Sequence, residues 1–224
     1  MIPSALAKYA ADLASLPGDA ALGYRNEGLR GVWDAVAART VHRALRTSRL
    51  TVFAQTLEQI GDVPPPSGVT IGRLRVEAVE ALAPIAGKRD RERFRRLLEI
   101  GCIGLAAWRG EHPVGYAWVA AEMRPEVSHC PLELPPHAAY LWDLYVVPAE
   151  RGSGLGSALA AERLRIAREL GRSEGWRMIT PDNTASLRTL RRSGAAPRVV
   201  GELRYLKLGS RLFVRFTPCP PPAH

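Results

Sequence analysis

Residues 143–157 read Asp-Leu-Tyr-Val-Val-Pro-Ala-Glu-Arg-Gly-Ser-Gly-Leu-Gly-Ser, and the groups best suited to chemistry are concentrated there. Gly152, Gly154 and Gly156 let the backbone close around a phosphate without Cβ atoms in the way. Arg151 adds a fixed positive charge beside them. A helix that starts here leaves about four N–H groups unpaired in its first turn, and its dipole favours an anion at that end. The run Gly152, Ser153, Gly154, Leu155, Gly156, Ser157 therefore reads as an anion cradle, with Asp143 and Tyr145 just upstream.

Other owners of glycine-rich loops fit less well. A nucleotide-triphosphatase loop needs Gly-Lys-Ser/Thr, and Gly156 is followed by Ser157 and Ala158. A dinucleotide fingerprint needs a third glycine at 157 and an acidic residue on the next strand, which here is Trp-Arg-Met-Ile-Thr180. The plainest rival is a turn that only joins strand to helix.

For the cradle to exist, residues 140–147 must form a strand that stops at Pro148, and residues 153–170 a helix. Leu155, Leu159, Ile166 and Leu170 recur at helical spacing and support this. Upstream, the pattern predicts a strand over 69–74, weak helix over 77–85, a charged helix over 89–99, and strands 102–109 and 113–122 joined by Gly110-Glu-His. Downstream it predicts a strand over 176–180, a helix over 183–192 ended by Gly194, and closing strands 199–208 and 211–216. The proline-rich stretch 123–139 is too long for a tight turn and reads as a substrate wall or lid.

Before residue 65 the chain reads as helices, with Leu29, Val32, Trp33, Val36, Ala37, Thr40 and Ala44 on one side, Arg39, Arg43 and Arg46 beside them, and a short strand at 50–54. Asp62-Val-Pro-Pro-Pro-Ser-Gly68 is the clearest boundary, because consecutive prolines hold the chain extended and remove backbone donors. The expected division is a mainly helical extension over 1–65, the main domain over 66–217, and a loose proline-rich tail over 218–224.

The loop resembles that of the GNAT superfamily, Arg/Gln-x-x-Gly-x-Gly/Ala, matched by Arg151-Gly-Ser-Gly154-Leu-Gly156. The resemblance continues with Asn183, Ser186 and Gly194, and covers roughly residues 69–216. It implies an α/β (α+β) fold: a mixed, mostly antiparallel twisted sheet, splayed at the cofactor strand and flanked by helices. It also implies acetyl-CoA in the gap, without a metal. Backbone groups of Tyr145, Val146 and Val147 would then pair with pantetheine, the amides from Gly152 to Ser157 would hold the pyrophosphate, and Asn183 and Ser186 would line the thioester arm.

The reaction implied is attack of an amine on the thioester. Deprotonating a lysine-like amine of pKa ~10.4 at pH 7 costs roughly 4–5 kcal/mol, so a base is useful. Asp143 resembles the acidic residue that several members place beside the thioester; its plain reading is a buried carboxylate paired with an arginine. Alternation sets Asp143 with Leu141 and Tyr145, opposite Leu144 and Val146. Glu122 is the reserve base, or else a solvated strand end. Many members carry a proton-donating tyrosine seven residues after the asparagine, but Leu190 stands there, and Ala195 replaces a frequent aromatic. Tyr145 and Tyr205 are the substitutes, each with a plain reading as a packed aromatic.

Composition adds bounds. The chain has 224 residues, 46% hydrophobic, with a formal net charge of +9 that attracts anions of any kind. No apolar run reaches the ~20 residues of a membrane span, and a cytoplasmic protein is expected. Three separated cysteines support neither a disulfide framework nor a four-ligand zinc site, and His129, Cys130 and His137 lack a fourth ligand. The basic segment 28–49 is expected to pack on the main domain or a second subunit, then to lie on an anionic membrane, and last to meet nucleic acid. The expected activity is transfer of acetyl from acetyl-CoA to a small primary amine, an amino sugar or polyamine. The alternatives are acetylation of a protein N-terminus or lysine, and a CoA-binding module without catalysis.

Overall fold

The computed structural model describes residues 14, 16–39, 45–128, 132–208 and 211–219. Two helices, α1 (Leu16–Glu27) and α2 (Leu29–Arg39), precede strand β1 (Leu45–Thr56). Then follow β2 (Val69–Arg73), a 3-10 turn (Val76–Leu82), α3 (Lys88–Glu99) and the hairpin β3 (Ile103–Arg109) and β4 (His112–Ala120). Next come β5 (Ala138–Val146), a second 3-10 turn (Pro148–Glu150), α4 (Leu155–Glu169), β6 (Glu174–Ile179), α5 (Thr184–Arg191), β7 (Pro197–Leu208) and β8 (Arg211–Pro218).

The eight strands form one sheet in the order β2-β3-β4-β5-β6-β1-β7-β8, antiparallel except between β5 and β6. Period-two alternation sends neighbours to opposite faces. On β3, Leu105 and Ala107 join Leu155, Leu159 and Leu164 of α4, whereas Ala106 joins Phe94 and Leu97 of α3. Helices therefore cover both faces. Trp118, fully buried, has its ring 5.2 Å from Phe94, and truncating such a residue to alanine costs about 3–5 kcal/mol.

Two expectations about the N-terminal part need correcting. The boundary near residue 65 does not divide the sheet: β1 precedes it yet lies between β6 and β7, paired from Thr51↔Ile179 to Thr56↔Glu174 on one side and from Leu45↔Leu208 to Gln55↔Pro197 on the other. The prolines are a connection running outside the sheet. The basic helix over 28–49 also ends early, at Arg39, because residues from Leu45 onward extend into β1; Arg49 there bonds the Glu202 carboxylate of β7. Thr40, Arg43 and Ala44, and all of the tail beyond Cys219, lie outside the described residues.

α4 starts at Leu155 and stops at Glu169, so Leu170 is its exposed C-cap rather than a core position. None of the described helices is long and apolar enough to cross a membrane. Because β1 supplies two ladders, removing residues 1–56 is expected to abolish the cooperative thermal transition seen by circular dichroism. Removing only residues 1–39 is expected to preserve it.

Candidate active site

β5 and β6 begin as parallel partners and then separate. Their ladder consists of Ala138↔Glu174, Ala139↔Gly175 and Tyr140↔Trp176, and from Leu141 onward β5 pairs only with β4. Gly175 permits the approach at the narrow end: a Cβ there would stand 2.8 Å from Leu141 Cδ1 and 2.9 Å from Leu164 Cδ2. Past that point the gap widens toward the glycine-rich loop.

β5 is also bulged on its other side. Tyr116 opposes Tyr145 and Trp118 opposes Trp142, so two steps on β4 match three on β5. The extra residue takes up Asp143, the only non-glycine with positive φ (47°) among the described residues. The bulge resets the alternation. Leu141 packs with Leu144 and Val146 on the α4 face, while Trp142 and Tyr145 face α3. The expected grouping of Leu141 with Asp143 and Tyr145 is thus corrected.

Asp143 Oδ2 accepts from Arg93 Nη1 of α3 at 3.0 Å, with the carboxylate side chain 28% exposed. Burial raises the carboxyl above the ordinary aspartate range, and Arg93, with Arg163 further off, pulls it back. Tyr145 stacks on Tyr116 at 5.4 Å, and its buried hydroxyl has no hydrogen-bond partner among the described residues. Burial raises that hydroxyl's pKa and the nearby Glu27 carboxylate adds to the effect. Trp118 and Trp142, 6.1 Å apart, and Tyr140, stacked on Trp142 at 5.5 Å, continue an aromatic wall on the α3 face.

At the wide end, Gly152 (φ 85°) and Gly154 (φ 98°, the N-cap of α4) take left-handed conformations that side chains resist. Among the described residues, nothing beyond their chain neighbours lies within 4 Å of where their Cβ atoms would be, so the cradle is open. Leu155 N–H donates to Ser153 Oγ, and Ser157 N–H donates to Gly154 O at 3.0 Å. The amides of Gly152, Gly154 and Gly156 donate to no backbone oxygen among the described residues. The anion-ready set is therefore these three rather than all six. Val147 departs from expectation as well: its N–H donates to Val114 O at 3.0 Å, because the chain is already turning into Pro148, so that amide faces β4.

Asn183 N-caps α5, its Oδ1 accepting from Ser186 N–H at 3.0 Å. The two residues read from the motif are thus joined to each other, and Asn183 keeps its Nδ2 for a ligand. Leu190, at the missing tyrosine's place, is buried core. Glu122 is exposed and bonds Arg124 at 2.8 Å, which matches its plain reading. Tyr205 is buried core beside Trp176 and Leu203. No metal-holding group occurs among the described residues; His137 lies 3.5 Å from Glu174, while His129 and Cys130 fall outside them. Burial pushes the Cys102 thiol up to about 11, unsuited to a nucleophile.

These features suit an acyl-CoA thioester: three free amides at a helix start, an unpaired strand edge leading inward, and a carboxylate at the bulge. A model of the Acetyltransferase (GNAT) family matches residues 74–195. The chain belongs to the GNAT acetyltransferase family. Members of this family use acetyl-CoA. No curated protein matches the sequence significantly. Among solved structures, a Drosophila protein is similar with TM-score 0.54 and 21% identity over 80% of this chain and 57% of its own. The glucosamine N-acetyltransferase region of a fungal multi-domain β-N-acetylglucosaminidase is similar with TM-score 0.52 and 12% identity, over 76% of this chain and 22% of its own. This chain therefore spans little more than half of the first and a fifth of the second, and the likeness is one of fold.

Four features escaped sequence reading: the bulge, Arg93, buried Arg163, and a contact from α1. Arg163 could have been noticed, since it follows Leu155 and Leu159 at four-residue steps and so places a charge where the stripe predicts core. The α1 contact carried no local signal. Glu27 binds Arg151 through both carboxylate oxygens, with Nη1–Oε2 at 3.2 Å, while Arg151 Nε donates to Val146 O at 3.2 Å. The carboxylate thus occupies the cation that the motif offers to phosphate. Glu27→Gln is expected to tighten coenzyme A binding several-fold by calorimetry, and Arg151→Gln to weaken it.

Proposed function

We propose that this GNAT acyltransferase moves an acetyl group from acetyl-CoA to the primary amine of a small molecule, an amino sugar or polyamine. The observation that carries this reading is the open edge of β5 beyond Tyr140↔Trp176, which runs from the cradle at Gly152–Gly156 to the bulge at Asp143. The five residue-to-residue steps of strand from Val147 to Trp142 span about 17 Å, comparable with an extended pantetheine arm. Pyrophosphate on the three free amides would set the thioester near Asp143.

The residues then divide the work. The amides of Gly152, Gly154 and Gly156 with Arg151 hold phosphate oxygens. Val146, between Tyr145 and Val147 whose backbone groups turn to β4, offers its backbone along the arm, and Asn183 and Ser186 flank it from α5. Asp143 accepts a proton from the attacking amine, and its raised pKa makes it a stronger base than an exposed aspartate. Attack forms the C–N bond and breaks C–S; the departing thiolate takes up a proton, for which the Tyr145 hydroxyl, without a hydrogen-bond partner among the described residues, is the candidate donor.

A small acceptor is favoured over a peptide by the wall that the long connection before β5 builds. Residues Glu122, Met123, Leu132, Glu133, Leu134 and Arg172 line a cavity of about 420 Å³, the size of a small-molecule site. Met123 and Leu134 pack against the aromatic cluster of the α3 face, on the side away from α4. The fungal region of like fold is named for a glucosamine acceptor, in keeping with an amino sugar.

Asp143→Asn is expected to lower kcat by about 10²–10⁴-fold with acetyl-CoA binding unchanged. Its stability should move the other way. A carboxyl whose folded pKa lies above its unfolded one costs stability as pH rises through that interval, and the penalty persists at pH 7. The asparagine variant is therefore expected to melt at the same temperature or higher at pH 7. Wild-type kcat retained by the variant across an amine panel would remove Asp143 from the chemistry.

A further inference from the structure

The four buried polar or charged side chains among the described residues, Gln55, Arg163, Arg177 and Ser193, gather at one place, under α4 where β5 and β6 part. Arg163 of α4 donates from Nη1 to Trp142 O at 3.0 Å, two residues beyond the last β5–β6 pair. Arg177 of β6 stands one residue beyond that pair and reaches Ala160 O and Ser193 Oγ, both at 3.4 Å. Gln55 turns its Nε2 toward Ser193 Oγ and the carbonyls of Leu190 and Ala195.

Both arginines are 4% exposed, and the Nε of each has no hydrogen-bond partner among the described residues. Neither forms an ion pair with a carboxylate among the described residues; Asp143, whose charge acts on Arg163, accepts instead from Arg93. Two guanidinium groups thus share a buried apex with no carboxylate partner among the described residues, and burial lowers the pKa of both. A buried charge of this kind is strongly disfavoured unless it is paired, and a planar fork of donors matches a carboxylate.

We infer that Arg163 and Arg177 receive the terminal carboxylate of a short dicarboxylic acyl group carried on coenzyme A. The preferred donor is then a succinyl- or malonyl-type thioester, with acetyl transferred more weakly. The inference rests on the acyl-CoA reading above and specifies its acyl group. With the arm laid along β5, the sulfur arrives beside Trp142, and a chain of two or three further carbons points into the apex where the arginines lie. The bond changes are the same: the amine nitrogen bonds the thioester carbon, the C–S pair leaves on sulfur and is protonated, and the distal carboxylate is unaltered. Acetyl leaves the two cations without an anion.

Calorimetry on the full chain with coenzyme A, butyryl-CoA and succinyl-CoA tests this, because the last two differ by a methyl against a carboxylate. Succinyl-CoA is expected to bind at least about tenfold tighter than butyryl-CoA, the scale of one charge-assisted hydrogen bond. Arg177→Met and Arg163→Met are expected to bring that ratio to near one with coenzyme A affinity unchanged. Arg177→Lys, which keeps a charge, is expected to retain part of the preference and guards against misfolding of the methionine variants. Equal or weaker binding of succinyl-CoA by the wild type overturns the inference while leaving acetyl transfer intact. Free succinate binding as tightly as its thioester would assign the arginines to a separate anion and also overturn it. No affinity for any of the three thiols or thioesters would remove the transferase reading together with this one.

Discussion

Two strands that start to pair and then diverge leave amides and carbonyls without partners, and the rest of the molecule is arranged around that unmet demand. Buried backbone groups must be satisfied by something. Where β5 leaves β6, the carbonyl of Trp142 turns to Arg163, and that of Val146 turns to Arg151. The remaining edge is what a ligand can complete, in the manner of an added strand. The separation also explains why a glycine sits at 175, where Leu141 and Leu164 press in from the face that α4 covers.

Charge follows the same geometry. The bulge at Asp143 puts a carboxylate on the α3 face, where Arg93 meets it, while two arginines collect on the α4 face behind it. Acid and base character are therefore divided across the thickness of one strand. Low dielectric makes each of these groups costly alone and influential on its neighbours. Asp143 is lifted by burial and restrained by two guanidinium groups, which places it between a fixed ion-pair member and a base.

The sequence was most legible where local pattern and local structure coincide. The hairpin, the charged helix before it and the strand-loop-helix unit around Arg151 all appear within two residues of expectation, since turn glycines and apolar spacing act over a few residues. What was hidden depends on distant partners. The short apolar run near residue 50 could not disclose that β1 is flanked by β6 and β7, and the prolines that follow it look like a boundary from the sequence alone. A single inserted residue in β5 has no compositional signature, so alternation carried Leu141 to the wrong face. Of the cradle, glycine positions were readable, but which amides remain free depends on Ser153 Oγ and on the first turn of α4.

The placement of β1 has a kinetic side. Its neighbours in the sheet lie more than a hundred residues further along the chain, so during synthesis it emerges long before either partner exists. Contacts of such long sequence range slow folding, because loop closure must precede any reward from pairing. An early strand with two open edges is also a place where nascent chains can associate with one another. The proline run that follows it, unable to donate to a ladder, keeps the adjacent segment from extending that sticky surface while the wait lasts.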